Sequence, residues 1–162
     1  MSDESTIFIG NDHGGYLLKL EIIEYFKEKG FLFFDVGSNS EEIVRYPYYA
    51  EKIARVVSEG KIQRGILICS TGIGMSIMAN KYKNVRAALC TSTYMAKMTR
   101  LHNDSNVLCL GGKTLGAFEA IDIVETWLGT PFEGGRHNIS LGLIKEAEQT
   151  LCTGQAWEFK GE

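Results

Sequence analysis

Five short apolar runs, each followed by a stretch with helical spacing, constrain this chain more than any other feature. The runs are TIFIG at 6–10, FLFFDVG at 31–37, GILIC at 65–69, VRAALC at 85–90 and NVLCL at 106–110. They are continuous rather than alternating, which is how strands buried on both faces read. Helical patterns are expected over 16–29, 47–58, 73–84, 94–101, 117–128 and 139–151. In the first, Leu17, Leu20, Ile23 and, on the flank, Phe26 are expected to share the buried face, with Gly30 as the stop. Pro47 suits the first turn of the second helix, and 38–46 reads as a long polar loop. Strand–helix units repeated in this way predict an α/β fold: a doubly wound, Rossmann-like five-stranded parallel sheet with helices on both faces and a C-terminal helix. Residues 1–152 are read as one domain and 153–162 as a tail, where Trp157 and Phe159 are apolar enough to dock on a neighbour.

Lysine and arginine total 17 against 20 acidic residues, a formal charge of −3. No broad basic field exists to attract nucleic acid. No apolar run approaches the roughly 18 residues that a membrane span requires. The start, Met1 to Ser5, is polar and acidic, unlike a signal peptide, so a cytoplasmic location is expected. Cys69, Cys90, Cys109 and Cys152 form no C-x-x-C pair, which argues against a structural zinc site or a redox dithiol. Cys90 and Cys109 follow apolar runs and read as small buried hydrophobes. No two of His13, His102 and His137 share a ligand-type spacing, so no metal and no cofactor are expected.

In a parallel sheet, ligands bind outside the carboxyl ends of the strands. That edge should hold residues 11–15, 37–46, 69–74, 91–93 and 111–116. The stretch Cys69-Ser70-Thr71-Gly72-Ile73-Gly74 ends a strand and opens a helix. It is either a tight turn and nothing more, or an anion cradle beside a reactive thiol, since amides at a helix start favour anions and a thiolate. It is no Walker loop, for the Lys-Ser/Thr pair is absent, and it lacks the third glycine of the dinucleotide fingerprint. Asp12-His13 lies in the first turn, His102-Asn103-Asp104 between the fourth helix and fifth strand, and Arg136-His137 before the last helix. Each has a plain structural reading as a cap or a surface group. Their joint placement at active-edge loops is the stronger indication. Together they fit an aldose–ketose isomerisation: a weak base takes a proton beside a carbonyl, amides hold the oxyanion, and a histidine moves a proton at the ring oxygen.

The stretches GNDHGGYLLK, ILICSTGIGMSIMANK, YMAKMTRLHNDSNVLCLGGKTLG and WLGTPFEGGRHN resemble ribose-5-phosphate isomerase type B, of the wider ribose/galactose isomerase family. The resemblance spans about residues 6–151. It implies a cofactor-independent interconversion of ribose 5-phosphate and ribulose 5-phosphate, in the non-oxidative pentose phosphate pathway. It implies a homodimer or dimer of dimers with active sites shared between subunits. By resemblance Cys69 is the base and His102 assists ring opening. Ser70, Thr71, Gly72, Ile73 and Gly74 bind substrate oxygens and stabilise the enediolate, Thr71 counting with the catalytic residues. Asp12, His13, Asn103, Lys113 and Arg136 contact substrate, Arg136 as a phosphate ligand reaching a site on the partner subunit.

Four departures bear on the substrate. The usual C-G-T-G is here Cys69-Ser70-Thr71-Gly72, tolerable if Ser70 keeps a negative φ. The usual acidic residue before Tyr-Pro is Arg45, and a second arginine four residues after Arg136 is Ser140. The usual arginine after Gly-Gly is Lys113, which keeps the charge and loses the bidentate fork. Arg45 is expected to offset the charge missing at Ser140. These changes leave open an isomerase of another phosphorylated sugar (galactose 6-, allose 6- or erythrose 4-phosphate), or a non-enzymatic sugar-phosphate sensor.

Overall fold

The computed structural model describes residues 6–158, so the readings placed on Met1 to Ser5 and on Phe159 lie outside the described residues. The five strands are β1 (Ile7–Asn11), β2 (Phe33–Asp35), β3 (Gly65–Cys69), β4 (Ala87–Leu89) and β5 (Val107–Gly111). They form one parallel sheet in the order β2-β1-β3-β5-β4. The described residues contain six α-helices: α1 (Tyr16–Lys29), α2 (Tyr46–Ser58), α3 (Ile73–Ala79), α4 (Thr93–Asn103), α5 (Ala117–Gly129) and α6 (His137–Leu151). None is long and apolar enough to cross a membrane.

The strands read as apolar throughout because each alternate residue enters a different core. Ile66 and Ile68 of β3, with Leu108 and Leu110 of β5, face α1 and α5 and meet Ile22, Phe26 and Trp127. Leu67 and Cys69, with Val107 and Cys109, face α2 and α3 and meet Ile53 and Met75. Burying one such side chain contributes about 1.5–3 kcal/mol. Cys69 is therefore a member of the α2–α3 core at the carboxyl end of the central strand.

Several expected elements differ in detail. α1 ends where expected, with Gly30 at φ 73° closing it. Its buried stripe, however, is Leu18, Ile22, Tyr25 and Phe26, while Leu17 and Leu20 are exposed. β2 and β4 are only three residues each, as befits edge strands. α3 stops at Ala79 rather than near residue 84. There the Asn80 amide donates to the carbonyls of Ser76 and Ala87 and accepts from the Ala87 N–H, diverting the chain to the sheet edge. α4 runs on through His102 and Asn103, so these form its last turn and not a loop; Asp104, at φ 45°, is its cap. α6 begins at His137 and buries no residue, leaving Ile139, Leu143 and Ile144 exposed along it.

Candidate active site

The first group of candidate residues gathers at the carboxyl end of β1, β3 and β5. The Cys69 sulfur is buried and accepts a hydrogen bond from the Gly72 N–H at 3.1 Å. Gly72 has φ 77°, a left-handed conformation that turns its amide back to the thiol. A Cβ there would come within 2.9 Å of the Leu110 backbone. Thr71 Oγ1 accepts from the Ile73 N–H. The Gly74 and Met75 amides, in the first turn of α3, have no intrahelical acceptor. A Cβ at Gly74 would lie 2.9 Å from the Tyr46 ring, so only glycine lets that ring close over the start of α3.

Neighbouring loops fasten this turn. Gly112 N–H donates to the Cys69 carbonyl at 2.8 Å, and Lys113 N–H to the Ser70 carbonyl at 3.0 Å. Ser70 takes a negative φ, since among described non-glycine residues only Asn84 and Asp104 are positive. Its hydroxyl occupies the space beside Gly14. Asp12 is buried and accepts from the Gly14 N–H at 2.9 Å. Burial raises the Asp12 pKa, against the lowering pull of the Gly14 amide, the His13 charge, the Gly15 amide and the Lys113 charge. His13 Nδ1 meets the Val44 carbonyl at 3.1 Å, tying the loop after β2 to the site. Asp12, His13, Ser70 to Gly74, Lys113 and Cys69 thus share one edge, as the sequence predicts.

The second group lies at the other end of the sheet. α4 starts from the carboxyl end of β4 and runs back eleven residues, roughly 16 Å, to deliver His102 and Asn103 beside the start of β5. That start, Val107, is paired with Gly65, while Cys69 is paired with Gly111 at the far end. The expected joint placement of Cys69 and His102 at one edge of a single chain is therefore corrected. A helix that leaves one edge must return to the other before the next parallel strand begins.

Residues that sequence reasoning passed over build this second cluster. The buried Arg100 guanidinium donates to the carbonyls of Thr130 and Ser105 and to the Asp104 carboxylate. It clamps the end of α4 to the link after α5. Glu133 N–H donates to the Leu101 carbonyl at 3.1 Å. Gly134 and Gly135, at φ 70° and 55°, then turn the chain so that Arg136 and His137 open α6. His137 stacks on His102, with ring centroids 4.2 Å apart and planes at 15°. Glu133 Oε2 lies 3.4 Å from His137 Nε2 and 4.0 Å from His102 Nε2. Two further groups were missed near the first site. Lys19, fully buried, donates to the Ser38 carbonyl at 2.6 Å and pairs with Asp35 at 2.9 Å, anchoring the 38–46 loop from below. Tyr46 closes over Gly74. Apart from the lysine in a helix and the tyrosine before a proline, no local pattern marks either.

Residues 7–144 match the family model described as Ribose/Galactose Isomerase. The chain is 44% identical over 143 residues to "Ribose-5-phosphate isomerase B" of Escherichia coli, an alignment covering 88% of this chain and 96% of that one. It is 41% identical over 131 residues, 80% of this chain and 86% of the other, to "D-erythrulose-4-phosphate isomerase" of Pectobacterium atrosepticum. The solved ribose-5-phosphate isomerase B of Clostridium thermocellum superposes with a TM-score of 0.88 at 49% identity, covering 90% of this chain and 99% of that one.

Proposed function

The chain belongs to the ribose/galactose isomerase family and is an isomerase, and from that premise we propose that it interconverts ribose 5-phosphate and ribulose 5-phosphate. The observation that carries the reading is the buried Cys69 sulfur with an amide N–H aimed at it. That bond holds the sulfur beside the first turn of α3, whose N–H groups have no intrahelical acceptor.

Cys69 takes the C2 proton of the open-chain aldose. The electron pair forms the C1–C2 double bond, and the aldehyde oxygen becomes an enediolate oxyanion. The unpaired amides of the first turn of α3, together with Thr71, face that charge. The O2 hydroxyl proton passes to O1, C2 becomes the carbonyl carbon, and the thiol returns its proton to C1, giving the ketose. Asp12 and His13 position hydroxyls. His102 protonates the ring oxygen during opening, Asn103 beside it contacts substrate, and Arg136, which precedes the His137 stacked on His102, grips the phosphate.

Because Cys69 and His102 occupy opposite ends of the sheet in one chain, this chemistry calls for a second copy. The active site then takes Cys69, Asp12, His13 and Lys113 from one subunit, and His102, Asn103 and Arg136 from another. The exposed apolar stripe of α6, which starts beside Arg136, supports such a homodimer. The offset of Ser140 by Arg45 likewise operates only between subunits, since Arg45 caps α2 at the thiol edge while Ser140 lies on α6.

A second reading, an isomerase of a phosphorylated tetrose or hexose, rests on Arg45, Lys113 and Ser140 and on the Pectobacterium relative. Purified protein incubated with ribose 5-phosphate and a chelator separates the two. Ribulose 5-phosphate should form, and Cys69→Ala should lower kcat by about 10²–10⁴-fold. No pentose turnover alongside turnover of erythrose 4-phosphate or galactose 6-phosphate would overturn the first reading.

A further inference from the structure

We infer that His102, Glu133 and His137 form a binding site for a borderline divalent transition-metal ion of the Zn²⁺ class, and that the ion inhibits the enzyme by withdrawing His102 from ring opening. The inhibitory half rests on the role proposed above for His102; the binding half does not.

One ligand atom from each of the three residues lies within 4.8 Å of the other two. Ligands on a tetrahedral zinc are about 2.0–2.1 Å from the ion, hence about 3.3 Å from one another. The 3.4 Å between Glu133 Oε2 and His137 Nε2 already has that spacing, and the 4.0 Å to His102 Nε2 is slightly open. The His137 Nε2 is buried and has no hydrogen-bond partner, its approach to Glu133 being too poorly aligned to make one. A metal satisfies that orphaned atom. Two imidazoles and a carboxylate suit zinc and its neighbours, whereas magnesium and calcium prefer oxygen alone. The near-parallel rings do not aim their nitrogens at one point, so His102 must turn out of the stack to close on the ion. His102 is 38% exposed at the end of its helix and has room to do so. Glu133, 55% exposed, leaves the remaining coordination position open to solvent. The three residues come from two regions 31 or more positions apart, brought together by the Arg100 clamp.

Zn²⁺ binding is measured by competition with a chromophoric chelator, without substrate. The protein carries Cys69→Ala and Cys152→Ala so that thiols do not contribute. About one equivalent per chain is expected, and adding Glu133→Gln or His137→Asn should weaken binding at least tenfold. With the thiols intact, Zn²⁺ should inhibit turnover reversibly by chelator, and Glu133→Gln should shift the inhibiting concentration upward at least tenfold. Absence of stoichiometric binding, or equal affinity in both added variants, overturns the site. Binding without inhibition overturns the inhibitory role while leaving the site in place. Failure of the pentose isomerase reading shows instead as absent turnover before any metal is added.

Discussion

At the scale of single residues, four thiols differ in one chain because their surroundings differ. Burial pushes the Cys90 thiol up to about 12 and the Cys109 thiol well above the usual thiol range, with Cys69 and Cys90 adding to the latter. Both should stay protonated and unreactive in the folded protein at pH 8. Cys152 is exposed and Cys69 has its amide donor. Brief iodoacetamide treatment at pH 8, read by peptide mass, should therefore label Cys152 and Cys69 and spare the other two, with activity falling in step with Cys69. Asp12 gives a second prediction. Its folded pKa is raised by burial, so its contribution to stability is present below about pH 4 and is lost as pH rises through the folded value. Asn retains the oxygen that accepts from Gly14. Asp12→Asn should accordingly raise Tm at pH 7, lose that advantage near pH 3, and lower turnover. Thermal melts at the two pH values check it.

At the scale of elements, the loop 38–46 is held by a lysine beneath it. Lys19→Met removes the bond to the Ser38 carbonyl and leaves Asp35 without its cation. Asp35 is 28% exposed and water relieves part of that loss, so about 1–3 kcal/mol of destabilisation is expected. Denaturant melts should show it, and KM should rise because Val44, Arg45 and Tyr46 follow from that anchor. This contact was invisible in the sequence, and the reason is general to the chain. Boundaries set by local chemistry were legible: Gly30 needs its positive φ whatever packs nearby, and β3 matches its apolar run residue for residue. Choices made by tertiary contact were not. α1 carries one stripe at Leu18, Ile22 and Phe26 and another at Leu17 and Leu20, and only the sheet selects between them. α3 stops because Asn80 finds Ala87, and His102 is helical because Arg100 ties that turn to Asp104 and the Ser105 carbonyl, on the link into β5. The thiol loop could be read as a unit because it is contiguous. The His102–Glu133–His137 cluster could not, as no spacing rule links residues joined by a folded return.

At the scale of the whole molecule, the two halves of the candidate site are about one sheet length apart. The four steps of about 3.3 Å from Val107 to Gly111 put that near 13 Å across β5 alone. In the proposed dimer, Cys69→Ala and His102→Asn chains are each inactive by themselves. Unfolded together in equal amounts and refolded, half of the dimers pair unlike chains, and each of these has one intact site of its two. About a quarter of the parental activity should return. Separately refolded samples, mixed afterwards at a concentration that prevents exchange, should remain inactive. Return of no activity in the co-refolded sample, with dimers present by sedimentation, would exclude the shared site.

The same division has a genetic consequence. Lesions around Cys69 and lesions around His102 would behave as two complementation groups, although one gene encodes one chain. The groups would interleave along the map, since Lys113 belongs with Cys69 while His102 and Arg136, to either side of it, belong together. A chain damaged in both groups would rescue neither. Co-expressed at equal dose with the parent, it would leave active only the dimers that escaped it.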